Sequence, residues 1–311
     1  MPLDPLAKRL LTMMAAAGPA ARTRPSVEAR RQSLAKLMQF ARVEAPDVTA
    51  TDGTLAGPGG DIAYRLYAPA GAEPRGPGFV FFHGGGLVAG SIQTHDRIAA
   101  ALAHATGCRL VSIDYRLAPE HKFPAAVEDA IASTEWVARQ AAPLGIDANR
   151  LVVGGDSAGA TLAAIVSQEA LQNAGLSIVA QCLICPVLDF EETSPSREMF
   201  AENHLIDRIA IEADLADYLP AGIDAADPRI SPLRATRVAG LPPAIIHTAE
   251  YDPMRDEGNA YARKLLAAGV AVEHVCHDGM VHNFHAMGAI LPQAQLVISQ
   301  IGEQVRRAVR G

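Results

Sequence analysis

The sequence predicts an α/β architecture: a mostly parallel central sheet with helices on both faces and a helical cap. Three observations carry this. From about residue 60 onward, short β-rich runs alternate with helical patterns, the arrangement that gives parallel strands covered on both faces. The pentapeptide Gly155-Asp156-Ser157-Ala158-Gly159 joins an apolar run to a helix-like stretch, as a sharp strand-to-helix turn does. Two segments, 1–50 and about 190–235, stand outside the alternation and flank it.

Taken in order, Asp4-Pro5 starts a helix whose apolar stripe is Leu6, Leu10, Met13 and Ala17. Lys8 and Arg9 ahead of this stretch loosely imitate a secretion signal, but Gly18-Pro19 interrupts it. No run approaches the roughly 18 to 20 apolar residues that a spanning helix needs, so a soluble cytoplasmic protein without stable membrane insertion is expected. Strands are predicted over 62–67, 78–82, 110–113, 151–153, 180–185, 244–249 and 271–276, and helices over 98–106, 125–140, 160–171, 256–268 and 292–310. Positions 198–219 carry a mixed polar helical pattern. The resulting division is an N-terminal cap piece at 1–50, core at 51–189, a second cap piece at 190–235, and core again at 236–311. A site that must exclude water is commonly covered by such helices.

With 311 residues, 49% of them apolar, the chain can bury a large core. A net charge of -7 with interspersed signs offers nucleic acid nothing to neutralise, which excludes that class of partner. Cys108, Cys182, Cys185 and Cys276 lie in strand-like apolar surroundings and suit reduced thiols. Cys182 and Cys185, three apart on a strand, are expected to face opposite sides of the sheet as two buried thiols rather than a redox pair.

In G-x-S-x-G the serine occupies a strained turn that lifts its hydroxyl clear of the sheet, so Ser157 is the candidate nucleophile. His83-Gly84-Gly85-Gly86 follows the strand at 78–82, and its unshielded amides at Gly84 and Gly85, with that of Ala158, could stabilise a tetrahedral oxyanion. A serine hydroxyl needs a base oriented by a carboxylate. Asp252 lies just past the strand at 244–249, stiffened by Pro253, and His282 lies on the loop beyond the strand at 271–276. Glu250, Asp256 and Glu257 compete with Asp252; the last two are expected to cap the following helix. His277 and His285 rank behind His282. Histidines 95, 104, 121, 204, 247 and 274 show no metal-ligand spacing, and no phosphate-binding glycine motif occurs, so no cofactor or metal is expected.

Together these residues resemble the hormone-sensitive-lipase-like branch of the α/β-hydrolase family, bacterial carboxylesterases with HGGG and GDSAG motifs. The likeness spans nearly the whole chain. It includes Pro2-Leu3-Asp4-Pro5, Asp114-Tyr115-Arg116-Leu117-Ala118-Pro119-Glu120 with Phe123-Pro124-Ala125, Asp227-Pro228 with Ser231-Pro232-Leu233, and Tyr251 through Gly258. The resemblance implies Ser157, Asp252 and His282 as the triad, Gly84, Gly85 and Ala158 as the oxyanion hole, an N-terminal cap, and hydrolysis of short to medium acyl esters. It allows a homodimer. Leu87, where the family often has an aromatic residue, and Asn283, where it often has glycine, depart from the pattern and bear on substrate shape.

The reading is a serine esterase acting on a small-molecule ester. An alternative is a ligand-binding protein on the same scaffold, as in the gibberellin receptors of plants, against which the complete Ser, Asp and His set argues. Amide, carbamate or lactone cleavage would use the same apparatus.

Overall fold

The computed structural model describes residues 1–16, 24–173, 175–191 and 194–311. Helices α1 (Pro5–Ala16) and α2 (Val27–Met38) precede a hairpin of β1 (Val48–Gly57) and β2 (Gly60–Pro69). The alternating part follows: β3 (Gly76–Phe82), α3 (Ile92–Thr106), β4 (Arg109–Asp114), α4 (Ala125–Arg139), β5 (Ile146–Asp156), α5 (Ala158–Ala170) and β6 (Ile178–Ile184). Helices α6 (Pro195–Met199) and α7 (Arg208–Tyr218) interrupt it before β7 (Ala244–Tyr251), α8 (Arg255–Ala267), β8 (Val272–Val281) and α9 (Gln293–Ala308) complete it. The strand order is β1-β2-β4-β3-β5-β6-β7-β8, antiparallel across β1, β2 and β4 and parallel from β4 onward.

Period-two alternation divides the core into two layers. On β3, Val80 and Phe82 pack into the layer that includes Val111, Ile113, Val153 and Leu162. Phe79 and Phe81 point the other way, into the layer with Leu102, Val152, Ile298 and Ile301. Each such side chain, withdrawn from water, contributes about 1.5 to 3 kcal/mol. Buried on both faces, β3 reads as a continuous apolar run.

Several expectations are corrected. Strand β1 was not anticipated, and its first residues fall in a segment read as helical; it is an edge strand on which Leu55 alone is fully buried, so it has little hydrophobic pattern to read. The helical pattern at 198–219 is two helices, broken between Phe200 and Asp207 where Asn203 and Leu205 adopt left-handed backbone. Helix α1 begins as read, with Asp4 Oδ1 accepting from the amides of Leu6 and Ala7 at 2.8 and 3.2 Å. Its buried residues, however, are Ala7 and Leu10; Leu6 and Met13 are exposed, and Ala17 lies outside the described residues. Cys182 and Cys185 are both buried thiols but join the same layer, because Cys185 has left the strand with φ 45° and alternation no longer applies.

Candidate active site

Strand β5 ends at Asp156, and Ser157 turns the chain into α5 with φ 52° and ψ -121°. Left-handed backbone at a non-glycine residue costs of order 1 to 3 kcal/mol and persists only where the surroundings impose it. Here they do: the Ser157 amide donates to Ile184 O on the neighbouring strand at 2.8 Å. The flanking glycines make the turn possible, since a Cβ on Gly159 would stand 2.0 Å from Phe82 O and one on Gly155 would stand 2.5 Å from the Gly159 carbonyl carbon.

Three residues far apart in sequence meet at this turn. Ser157 Oγ is 3.0 Å from His282 Nε2, and His282 Nδ1 is 2.8 Å from Asp252 Oδ2. The other Asp252 oxygen accepts from the Met254 amide at 2.8 Å, which fixes the carboxylate. All three side chains are buried. Strand β8 runs further than predicted, through Gly279 with φ 70°, so His282 is the first residue after its end. The tautomer that lets Ser157 donate to Nε2 carries its proton on Nδ1, facing Asp252.

The competitors are engaged elsewhere. Glu250 binds the Gly279 amide at 2.7 Å and the N-terminal ammonium. Asp256 and Glu257 do lie in the first turn of α8, yet they reach outward: Asp256 accepts from the Ser196 amide, and Glu257 from the amides of Leu188 and Asp189 and from Arg197. His277 pairs with His247 at 2.8 Å, and burial pushes it down to about 4. His285 is buried with its nearer nitrogen 3.8 Å from Asp156.

The oxyanion loop differs from expectation at one residue. The Gly84 amide donates to Asp156 Oδ1 at 3.0 Å, so it is already committed and cannot also face a substrate oxygen. Gly85, Gly86 and Ala158 line the cavity in front of Ser157, and among the described residues their amides have no acceptor. Of the three amides named from the sequence, those of Gly85 and Ala158 therefore remain unengaged at the cavity, together with that of Gly86, while that of Gly84 does not. Asp156 was not singled out in the sequence. Burial opposes its charge, but His95 at 3.4 Å and His285 outweigh that and hold its carboxyl below the usual range. His95 is thus a buried partner of Asp156, whereas burial pushes neighbouring His83 down to about 3.

The cavity measures about 360 Å³. Its base is formed by the Ser157 turn and the glycine loop, and its walls come from α1, α2 and α7 through Met14, Leu34, Leu37, Ala210 and Ile211. Helix α2 is fastened to the core by Arg31, which donates to Val88 O at 2.9 Å and Ala118 O at 3.2 Å. It is fastened to α7 by Arg30, which pairs with Asp214 and Asp217. Leu87 is buried with φ 62°, and Asn283 borders the cavity with φ 57°. The latter backbone suits glycine, which explains why asparagine, the non-glycine residue most tolerant of it, can replace it. Cys185 Sγ lies within 4.8 Å of ligand-capable atoms of Asp252 and His282, but those two residues are already joined to each other. The arrangement can activate a hydroxyl as nucleophile and stabilise charge on an oxygen in front of it.

A family model described as alpha/beta hydrolase fold matches residues 79–286. The esterase LipI of Mycobacterium tuberculosis is 39% identical over 272 residues, covering 86% of this chain and 84% of that protein. The ethyl acetate hydrolase of Pseudomonas putida is 35% identical over 284 residues, covering 90% and 89%. Among solved structures, the hyperthermophilic esterase of the archaeon Pyrobaculum calidifontis superposes with a TM-score of 0.93 at 37% identity, over 99% of this chain and all of that one.

Proposed function

The chain belongs to the alpha/beta hydrolase family and is a carboxylic ester hydrolase, and we propose that it cleaves short to medium acyl esters through an acyl-enzyme on Ser157. The observation that carries this is the unbroken relay from Ser157 Oγ through His282 to Asp252 at 3.0 and 2.8 Å. Ser157 Oγ attacks the ester carbonyl while His282 Nε2 takes its proton. The amides of Gly85, Gly86 and Ala158 receive the oxyanion, and Asp252 stabilises the imidazolium. His282 then returns the proton to the departing alcohol, and water, deprotonated by the same imidazole, releases the acid.

Two pieces, 1–50 and 190–235, act as the cap, a role supported by the cavity walls they supply. Among the described residues no helix is long and apolar enough to cross a membrane. We place the enzyme in the cytoplasm, in keeping with four free cysteines of which three are buried; a homodimer is the assembly the family resemblance allows. The test is Ser157→Ala, expected to abolish hydrolysis of p-nitrophenyl butyrate while the protein stays folded. Covalent labelling by an organophosphate at Ser157, lost in that variant, distinguishes an enzyme from a ligand-binding protein on this scaffold.

A further inference from the structure

One wall of the cavity is ionic where the rest is mostly apolar. Asp214 of α7 and Arg30 of α2 both border it, their side chains 28% and 9% exposed, and Arg30 Nη1 binds Asp214 Oδ1. Burying such a pair is costly, and simple adhesion of α2 to α7 does not require it. Asp217 already serves that purpose, accepting from Arg30 Nη2 and from Arg24. Among the described residues the second Asp214 oxygen, Oδ2, has no hydrogen-bond partner. It lies against the oxyanion loop: a Cβ built on Gly86 would stand 2.0 Å from it. A free acceptor is thus held beside the amides that face the scissile carbonyl. With Arg30 offsetting its charge, the site suits an uncharged donor better than a cation.

We propose that Asp214 Oδ2 is a specificity determinant that accepts a hydrogen bond from a hydroxyl on the substrate near the scissile carbonyl, and so selects hydroxy-substituted esters over their plain counterparts. This rests on the esterase reading of the same site. The carboxyl is pushed up to about 7, burial outweighing Arg30, so the selection is strongest above neutral pH where the acceptor is ionised.

The experiment measures kcat/KM at pH 8 for two matched pairs: p-nitrophenyl butyrate with p-nitrophenyl 3-hydroxybutyrate on the acyl side, and ethyl acetate with 2-hydroxyethyl acetate on the alcohol side. In at least one pair the hydroxylated-to-plain ratio is expected to be about tenfold higher in the native protein than in Asp214→Leu, the scale of one hydrogen bond to a charged group. Asp217→Asn, which loosens the clasp without touching the cavity, is expected to keep the native ratio. Equal ratios in the native protein and Asp214→Leu for both pairs overturn the proposal, as does an equal loss in Asp217→Asn. A native protein that does not prefer the hydroxylated member of either pair overturns it without any variant. Turnover of the plain esters by the native protein tests the esterase reading separately, because it does not depend on the ratio.

Discussion

The amide of Gly84 is held by the carboxylate of Asp156 at 3.0 Å, so the residue immediately before Ser157 also anchors the loop opposite it. One buried side chain thereby links the turn that presents the Ser157 hydroxyl to the glycine loop proposed to receive the oxyanion. Asp156→Asn keeps the shape but removes the charge that His95 and His285 sustain. It is expected to lower kcat on p-nitrophenyl butyrate by about ten- to a hundredfold, somewhat less than deletion of an oxyanion donor, with KM nearly unchanged. A rise in KM at constant kcat would show that the loop's orientation is independent of Asp156.

The relay should respond unevenly to its members. His282→Ala is expected to remove nearly all turnover, while Asp252→Asn, which leaves the imidazole in place but reverses the tautomer it favours, should lower kcat by about 10⁴. Steady-state rates together with near-UV circular dichroism check this; wild-type-like turnover in Asp252→Asn would refute the assignment of the carboxylate.

Glu257 stabilises the region around α6 without touching the site. Its carboxylate is 3% exposed and pairs with Arg197 while accepting from two backbone amides. Glu257→Leu leaves two backbone amides unmatched and strips the largely buried Arg197 guanidinium of its carboxylate, leaving it only the bond to Asp189 O at 2.7 Å, so unfolding free energy should drop by about 3 kcal/mol. Chemical denaturation measures it, and a change below about 1 kcal/mol would contradict the burial.

Asp214 gives a pH signature. Its folded carboxyl is pushed up to about 7 by burial, against the opposing charge of Arg30, whereas in the unfolded chain it titrates near roughly 3.9. Between those values the folded state holds a proton that the unfolded state has released, so this group's contribution to stability declines as pH rises from about 4 to about 7 and is level above that. Asp214→Asn cannot titrate. The stability of the Asn variant relative to the native protein should therefore grow across that window; urea unfolding at half-unit intervals reads it, and a constant difference would count against the shift.

That Ser157, Asp252 and His282 meet beside the glycine loop was legible in the sequence because each lies in a local motif at a strand end, where backbone conformation and adjacency are set by neighbours in the chain. What escaped depended on distant partners. That Gly84 is unavailable follows from Asp156 lying beside it, 72 residues away in sequence. That Cys185 shares a layer with Cys182 follows from a left-handed residue ending β6, which no alternation rule foresees. Strand β1 left almost no trace because an exposed edge has few apolar positions to space. Asp214 reads as one polar residue in an unremarkable helix until the fold sets it against position 86.

Every group in the proposed relay and glycine loop is rooted at the ends of β3, β5, β7 and β8, whereas much of the surrounding wall comes from α1, α2 and α7. Chemistry and appetite are thus encoded in separable stretches of polypeptide. Grafting foreign helices in place of these three is a route to new substrates that leaves the reactive machinery untouched, and drift in the same stretches offers natural lineages the same freedom.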